Sequence, residues 1–254
     1  MHAKVIFCRC CGAAGSRRFG RDARRRQRYH CPDCGRTFIG RTNTVKSGSR
    51  LSDREWELAA RLFVTRGGMS GADLGRIFGC GRRTGQHMNR VFRLLVRGLV
   101  PRSLPGISEW DEAVVSKQWI LGGMSRTTRR CLLRCIGNRR EDTLTHAILP
   151  VVGTEGLIFT DEFPGYNGLY RRMTVCHARE FVNADARFVH TNSIEGVWGH
   201  MKELSRHVYR GFPRRTLPAF LAEFMFRYNY HRYEVRRTVL LALLSRKSIN
   251  TLVV

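Results

Sequence analysis

The stretch ISEWDEAVVSKQWILGGMSRTTRRCLLRCIG, Ile107 to Gly137, decides the fold. It holds three apolar runs, ISEWDEAVV, KQWILGG and RRCLLRCIG, separated by short polar turns, and such a pattern predicts three consecutive strands. Outward from there, EDTLTHAIL reads as a helix ended by Pro150. GLIFTD reads as a short buried strand, PGYNGLYRR as a helix and MTVCH as another strand. HTNSIEGVWGHMK, His190 to Lys202, opens a further helix, and LPAFLAEFMFRYN and TVLLALLSRK supply two more.

Three meandering strands, a helix, then strand, helix, strand and helix is the element order of an RNase H-like α/β core. Upstream, LSDREWELAARLFVTRG has apolar positions at helical spacing behind a Ser-Asp start. GADLGRIFG and RRTGQHMNRVFRLLVRG form a second helical pair joined by FGCG, and Met69 to Leu95 reads either as a helix-turn-helix or as a plain helical hairpin. PRSLPG is a linker. The expected domains are a zinc ribbon at 1–47, a helical helix-turn-helix-like DNA-binding module at 50–100, an RNase H-like catalytic domain at 106–212 and a C-terminal helical extension at 213–254.

The 254 residues are 43% hydrophobic, enough to bury a real core. Lysine and arginine total 45 against 20 acids, a net charge of +25, and 40 of those bases are Arg. Such an imbalance predicts a polyanionic partner, with nucleic acid first, because Arg forks fit phosphate and guanine edges. A GC-rich coding sequence is the bland source of part of that excess. No apolar signal segment is evident at the start, and VLLALL, Val239 to Leu244, is too short to span a bilayer. No membrane partner is expected, and an intracellular location with DNA is.

Nine cysteines include two close pairs, Cys8 with Cys11 and Cys31 with Cys34, each pair followed by a glycine. Nineteen residues separate the pairs, a spacing that suits a four-cysteine zinc site in a reducing compartment. Two residues between thiolates let one tight turn offer both sulfurs to a tetrahedral ion. Cys10 competes with Cys11, although only Cys11 keeps the Cys-x-x-Cys-Gly form. Cys80, Cys131, Cys135 and Cys176 lack such pairing and are expected in the core. Between the pairs SRRFGRDARRRQRYH carries Arg24, Arg25, Arg26 and Arg28 on a short hairpin held at both ends. That is either a solvated charge run or a phosphate-contacting surface.

Three acids stand where elements end. Asp111 lies in the first strand of the meander, Asp161 closes GLIFTD, and Glu195 opens the late helix. An RNase H-like arrangement would bring them to one sheet edge, the hard oxygen cluster that two divalent metals need. Each acid also has a structural reading. Glu195 stands three residues after Asn192, the spacing of a capping box. Asp161 suits the cap of a helix starting near Pro164, and Asp111 has Glu109 and Glu112 as neighbours. For Glu195 both roles are expected at once.

WDEAVV, QWILGG, IFTDEFPGY, TVCH, HTNSIEGVWGHMK and LAEFMFRYN occur in the order seen in Merlin-type DNA transposases and the related bacterial insertion-sequence (ISXO2-like) DDE transposases, and the chain resembles them over roughly residues 107–231. The resemblance implies catalytic, magnesium- or manganese-binding acids at Asp111, Asp161 and Glu195, and a trailing basic residue at Lys202 that contacts DNA. It implies two divalent ions for catalysis, structural zinc on Cys8, Cys11, Cys31 and Cys34, and double-stranded DNA as substrate, both terminal inverted repeats and target. It also implies a homodimer in the synaptic complex. Phe163 stands where Trp is common, Cys176 where Asn is, and the segment between Asp111 and Trp119 is short for the family. The rival readings are a transposase-derived DNA-binding regulator without catalysis and a stand-alone nuclease or junction resolvase.

Overall fold

The computed structural model describes residues 5–65, 67–175 and 190–246. Cys176, expected in a strand and in the core, lies outside the described residues. The chain divides into two compact units, Met1–Ala59 with Leu241–Val254, and Ala60–Leu240. These divisions fall inside the helices α1, Asp53–Phe63, and α7, Tyr233–Arg246, rather than at the linkers read from composition.

In the first unit, β1 (Arg17–Arg21), β2 (Gln27–His30) and β3 (Thr37–Ile39) form an antiparallel sheet in that order. Its small core is Cys8, Cys31 and Phe38, with Tyr29 stacked on Phe38 at 5.4 Å. The β1–β2 turn is built on Asp22. Its carboxylate accepts the backbone N–H of Arg24 and of Arg26, each at 2.9 Å, and pairs with the Arg26 guanidinium at 2.7 Å. The expected hairpin is therefore present.

In the second unit, α2 (Gly71–Ile77) and α3 (Arg82–Arg97) meet at two glycines. A Cβ on Gly85 would lie 2.0 Å from the Gly71 carbonyl oxygen, so only glycine permits this crossing. The helical pair does not stand apart from the core. Arg93 of α3 donates at 2.8 Å to the fully buried Glu223 of α6 (Leu217–Asn229). Arg227 grips the same carboxylate and also donates to the carbonyls of Phe63 and Thr65. Long-range ion pairing, which a linear reading cannot register, joins what PRSLPG appeared to divide.

The main sheet has five strands in the order β6-β5-β4-β7-β8. β4 (Ile107–Val115), β5 (Gln118–Ser125) and β6 (Cys131–Ile136) form the antiparallel meander, and β7 (Leu157–Asp161) and β8 (Arg172–Val175) add in parallel. This mixed α/β sheet fits an RNase H-like core. The two glycines of QWILGG make it possible. A Cβ on Gly122 would lie 2.6 Å from the Trp198 ring, and one on Gly123 would lie 2.7 Å from the Trp110 ring. Each indole thus lies against bare backbone.

Two local expectations are corrected. Pro150 does not end its helix, because α4 runs Glu141–Val152 and stops at Gly153, whose φ is +77°. PGYNGLYRR is not a helix but one 3-10 turn, Pro164–Tyr166. Its glycines are chosen for close approach rather than helix formation: a Cβ on Gly165 would meet the Arg139 carbonyl oxygen at 2.5 Å. Among the described residues no helix is long and apolar enough to cross a membrane.

Candidate functional site

The first unit holds a four-thiol cluster. The Sγ atoms of Cys8, Cys11, Cys31 and Cys34 all lie within 4.8 Å of one another. Cys8 and Cys34 are 3.8 Å apart and Cys11 and Cys31 are 3.7 Å apart. A tetrahedral ion with sulfur ligands at about 2.3 Å requires sulfurs roughly 3.8 Å apart, so the residues fit zinc. Cys11, not Cys10, completes the set. Cys10 contributes its backbone N–H, which donates to the Cys8 sulfur at 3.2 Å, as groups around metal thiolates commonly do.

The Arg run differs from residue to residue. Arg24 and Arg25 are exposed at the hairpin tip. Arg26 is held by Asp22, and Arg28 donates to Thr37 and lies 5.3 Å over the Phe19 ring.

In the second unit, the acids of WDEAVV have separate fates. Glu109 is fully buried and satisfied: it pairs with Arg126 at 2.5 Å and accepts the backbone N–H of Ser193 and Ile194 at 2.8 and 3.0 Å. Those two N–H groups open α5 (Asn192–Leu204), so Glu109 caps that helix from a distant strand. The capping box expected of Asn192 and Glu195 is therefore corrected. Thr191 is the N-cap and makes no side-chain capping bond, and Glu195 falls one position too late in the helix. The Thr191 hydroxyl instead donates to Glu195 Oε1 at 3.2 Å. Glu112 pairs with Arg139 at 2.8 Å and accepts the Tyr166 hydroxyl.

Among the described residues no cationic side chain pairs with Asp111. Its Oδ2 accepts the Trp198 indole N–H and its Oδ1 the Glu112 backbone N–H, both at 2.8 Å. Burial pushes its carboxyl up to about 6; the two N–H donors oppose this, and the charges of Glu112 and Asp161 add to it. Asp161 is close by construction. Ile107, Ser108 and Glu109 pair in parallel with Leu157, Ile158 and Phe159, and the same offset carried two residues on sets Asp111 beside Asp161. Asp161 Oδ1 accepts the Phe163 N–H at 3.1 Å, while Arg172 holds the Asp161 carbonyl and the Thr160 hydroxyl, each at 2.9 Å.

α5 lies along the same strand, fixed by Glu109 at its start and by Trp198 on Asp111. Ile194, Val197, Trp198 and Met201 are its buried stripe, and Glu195 and Lys202 are on its exposed side. Asp111 and Asp161 are thus neighbours, and Glu195 stands one turn before the indole that bonds Asp111. Among the described residues the four thiols are the one group of three or more Cys, His, Asp or Glu side chains placed together to hold a metal ion. Linear reading missed Glu109, Trp198 and the Glu112–Tyr166–Arg139 network. The one available signal was the repetition of acids in SEWDE and the single tryptophan of GVW.

No curated protein matches the chain. Residues 107–229 match the ISXO2-like transposase domain, a span that begins with β4 and ends with α6. Over that span the chain is similar to the insertion-sequence DDE transposases.

Proposed function

We propose that the chain is a DNA transposase that cuts the ends of its element and joins them to target DNA. The observation that carries this is Asp111: a half-buried carboxylate that pairs with no cation among the described residues, beside Asp161 in the domain shared with transposases. Divalent magnesium or manganese, when bound, supplies positive charge to the phosphoryl oxygens and activates the attacking water or 3′-hydroxyl. Asp111, Asp161 and Glu195 are the residues that would hold it. Lys202, two turns along α5 from Glu195 on its exposed side, steadies a DNA phosphate. In the first step a phosphodiester is hydrolysed, leaving a free 3′-hydroxyl. In the second that hydroxyl attacks a target phosphodiester and expels its 3′-oxygen, so no covalent protein intermediate is needed.

The four-thiol ribbon binds structural zinc, and its tip residues Arg24 and Arg25 contact the phosphate backbone of the element ends. Two copies act together, since two ends are cut and joined. The test is cleavage and strand transfer on DNA carrying the flanking inverted repeats, with Mg²⁺ or Mn²⁺. Asp111→Asn, Asp161→Asn and Glu195→Gln should each lower cleavage at least roughly a thousandfold while DNA binding survives. Full activity in any of the three removes that acid from the site. Metal analysis should return one zinc per chain, lost with ribbon folding in Cys31→Ser; a zinc-free wild-type protein overturns that assignment.

A further inference from the structure

Arg139 lies in the loop between β6 and α4, directly before the helix cap Arg140. Its guanidinium carbon is 4.3 Å from the Trp119 ring centroid and 4.3 Å from that of Phe163. Flat contact with aromatic faces fixes the plane of the guanidinium and reduces the freedom it has left to lose on binding. Gly165 lets the 3-10 turn close on this loop, since a Cβ there would meet the Phe163 ring at 2.4 Å and the Arg139 carbonyl oxygen at 2.5 Å.

Among the described residues only one of its nitrogens has a hydrogen-bond partner. Nη1 donates to Glu112 Oε1 at 2.8 Å, and Nε and Nη2 hydrogen-bond to no described residue. An arginine present merely to neutralise Glu112 would place both arms of its fork on that carboxylate. Here the side chain keeps 37% of its surface exposed while its partner keeps 3%. Glu112 is the residue after Asp111, and its second oxygen takes the Tyr166 hydroxyl. A rigid cation with spare donors is therefore tethered at the rim of an acidic site that a polyanionic strand has to approach.

We infer that Arg139 binds a backbone phosphate of the DNA strand held at Asp111 and Asp161. This rests on the transposase reading above. One lost phosphate contact lowers the slope of log affinity against log salt by about one, and the half-saturating DNA concentration should rise roughly tenfold. The experiment measures both quantities for wild type, Arg139→Ala and Arg139→Lys on element-end DNA, with cleavage followed in Mn²⁺. Arg139→Ala should lose the slope increment, and Arg139→Lys should restore it while recovering only part of the affinity. An Arg139→Ala protein with the wild-type slope overturns the inference, whether or not its affinity has fallen. If Arg139→Ala does not fold, Arg139→Gln, which keeps a planar donor end without charge, is judged by the same slope. A wild-type protein that neither binds nor cuts these ends would instead sink the transposase reading itself.

Discussion

Glu223, fully buried, and Asp111, half-buried, are carboxylates of the second unit, and the fold treats them in opposite ways. Glu223 accepts from Arg93 at 2.8 Å, from Arg227 at 2.7 and 2.8 Å, and from the Tyr209 hydroxyl at 2.5 Å. Full burial pushes its carboxyl up, yet the charges of Arg227 and Arg93 outweigh this and hold it below the usual range. Asp111 has two neutral N–H donors, further negative charge beside it and a carboxyl raised to about 6. A carboxylate kept for architecture arrives fully neutralised. One left short of positive charge among the described residues, in a chain of net charge +25, is where the transposase reading would seat a cation from outside.

The largest effect should come from breaking the first of these. Glu223→Ala leaves two arginines buried without their anion, a loss of about 3–5 kcal/mol. A denaturant titration checks it, and a loss below about 1 kcal/mol would dissolve the contrast. Asp111→Asn should behave oppositely in metal-free protein. The folded carboxyl titrates near 6, against about 3.9 in the unfolded chain. The folded state therefore binds more protons between those values, and stability falls as pH rises through that window. The stabilising contribution is full below about pH 4 and gone above about pH 6. Wild type should lose on the order of 2 kcal/mol across the window relative to Asp111→Asn. Melting both proteins at pH 4.5 and pH 7 in chelator tests this, and parallel behaviour of the two would refute it.

The smallest effect belongs to Lys202, exposed on α5 and in no ion pair with a described residue. Lys202→Ala should slow cleavage and joining about tenfold, near 1.4 kcal/mol, with fold and metal affinity retained. Lys202→Arg should recover part of the rate. Wild-type turnover in Lys202→Ala at moderate salt would leave the lysine as solvated surface.

What was legible in the sequence follows the range of the forces involved. ISEWDEAVV and LPAFLAEFMFRYN coincide with β4 and α6 to the residue, because alternation and helical periodicity are local. The four thiols were readable because their pairs are each built by one short turn. The cap of α5 was not, since it comes from Glu109, 84 and 85 positions away from the N–H groups it binds. PGYNGLYRR failed for a related reason: its glycines serve the approach of Arg139 and Phe163, not the local backbone. Among the acids, type and position pointed to Asp111, but the neutralising partners of Glu109 and Glu112 exist only in three dimensions.

The contact between Trp198 and Asp111 gives the molecule an optical property. The indole N–H donates to the carboxylate whose charge the site is expected to exploit, and Gly122 holds the ring against the sheet. The excited indole carries a large dipole, so the colour of its emission depends on the charge at the other end of that hydrogen bond. A cation captured by Asp111 changes that charge without moving the ring. Trp198 is thus a built-in fluorophore for the carboxylate, and, should a cation bind there, its emission in unlabelled protein would report it.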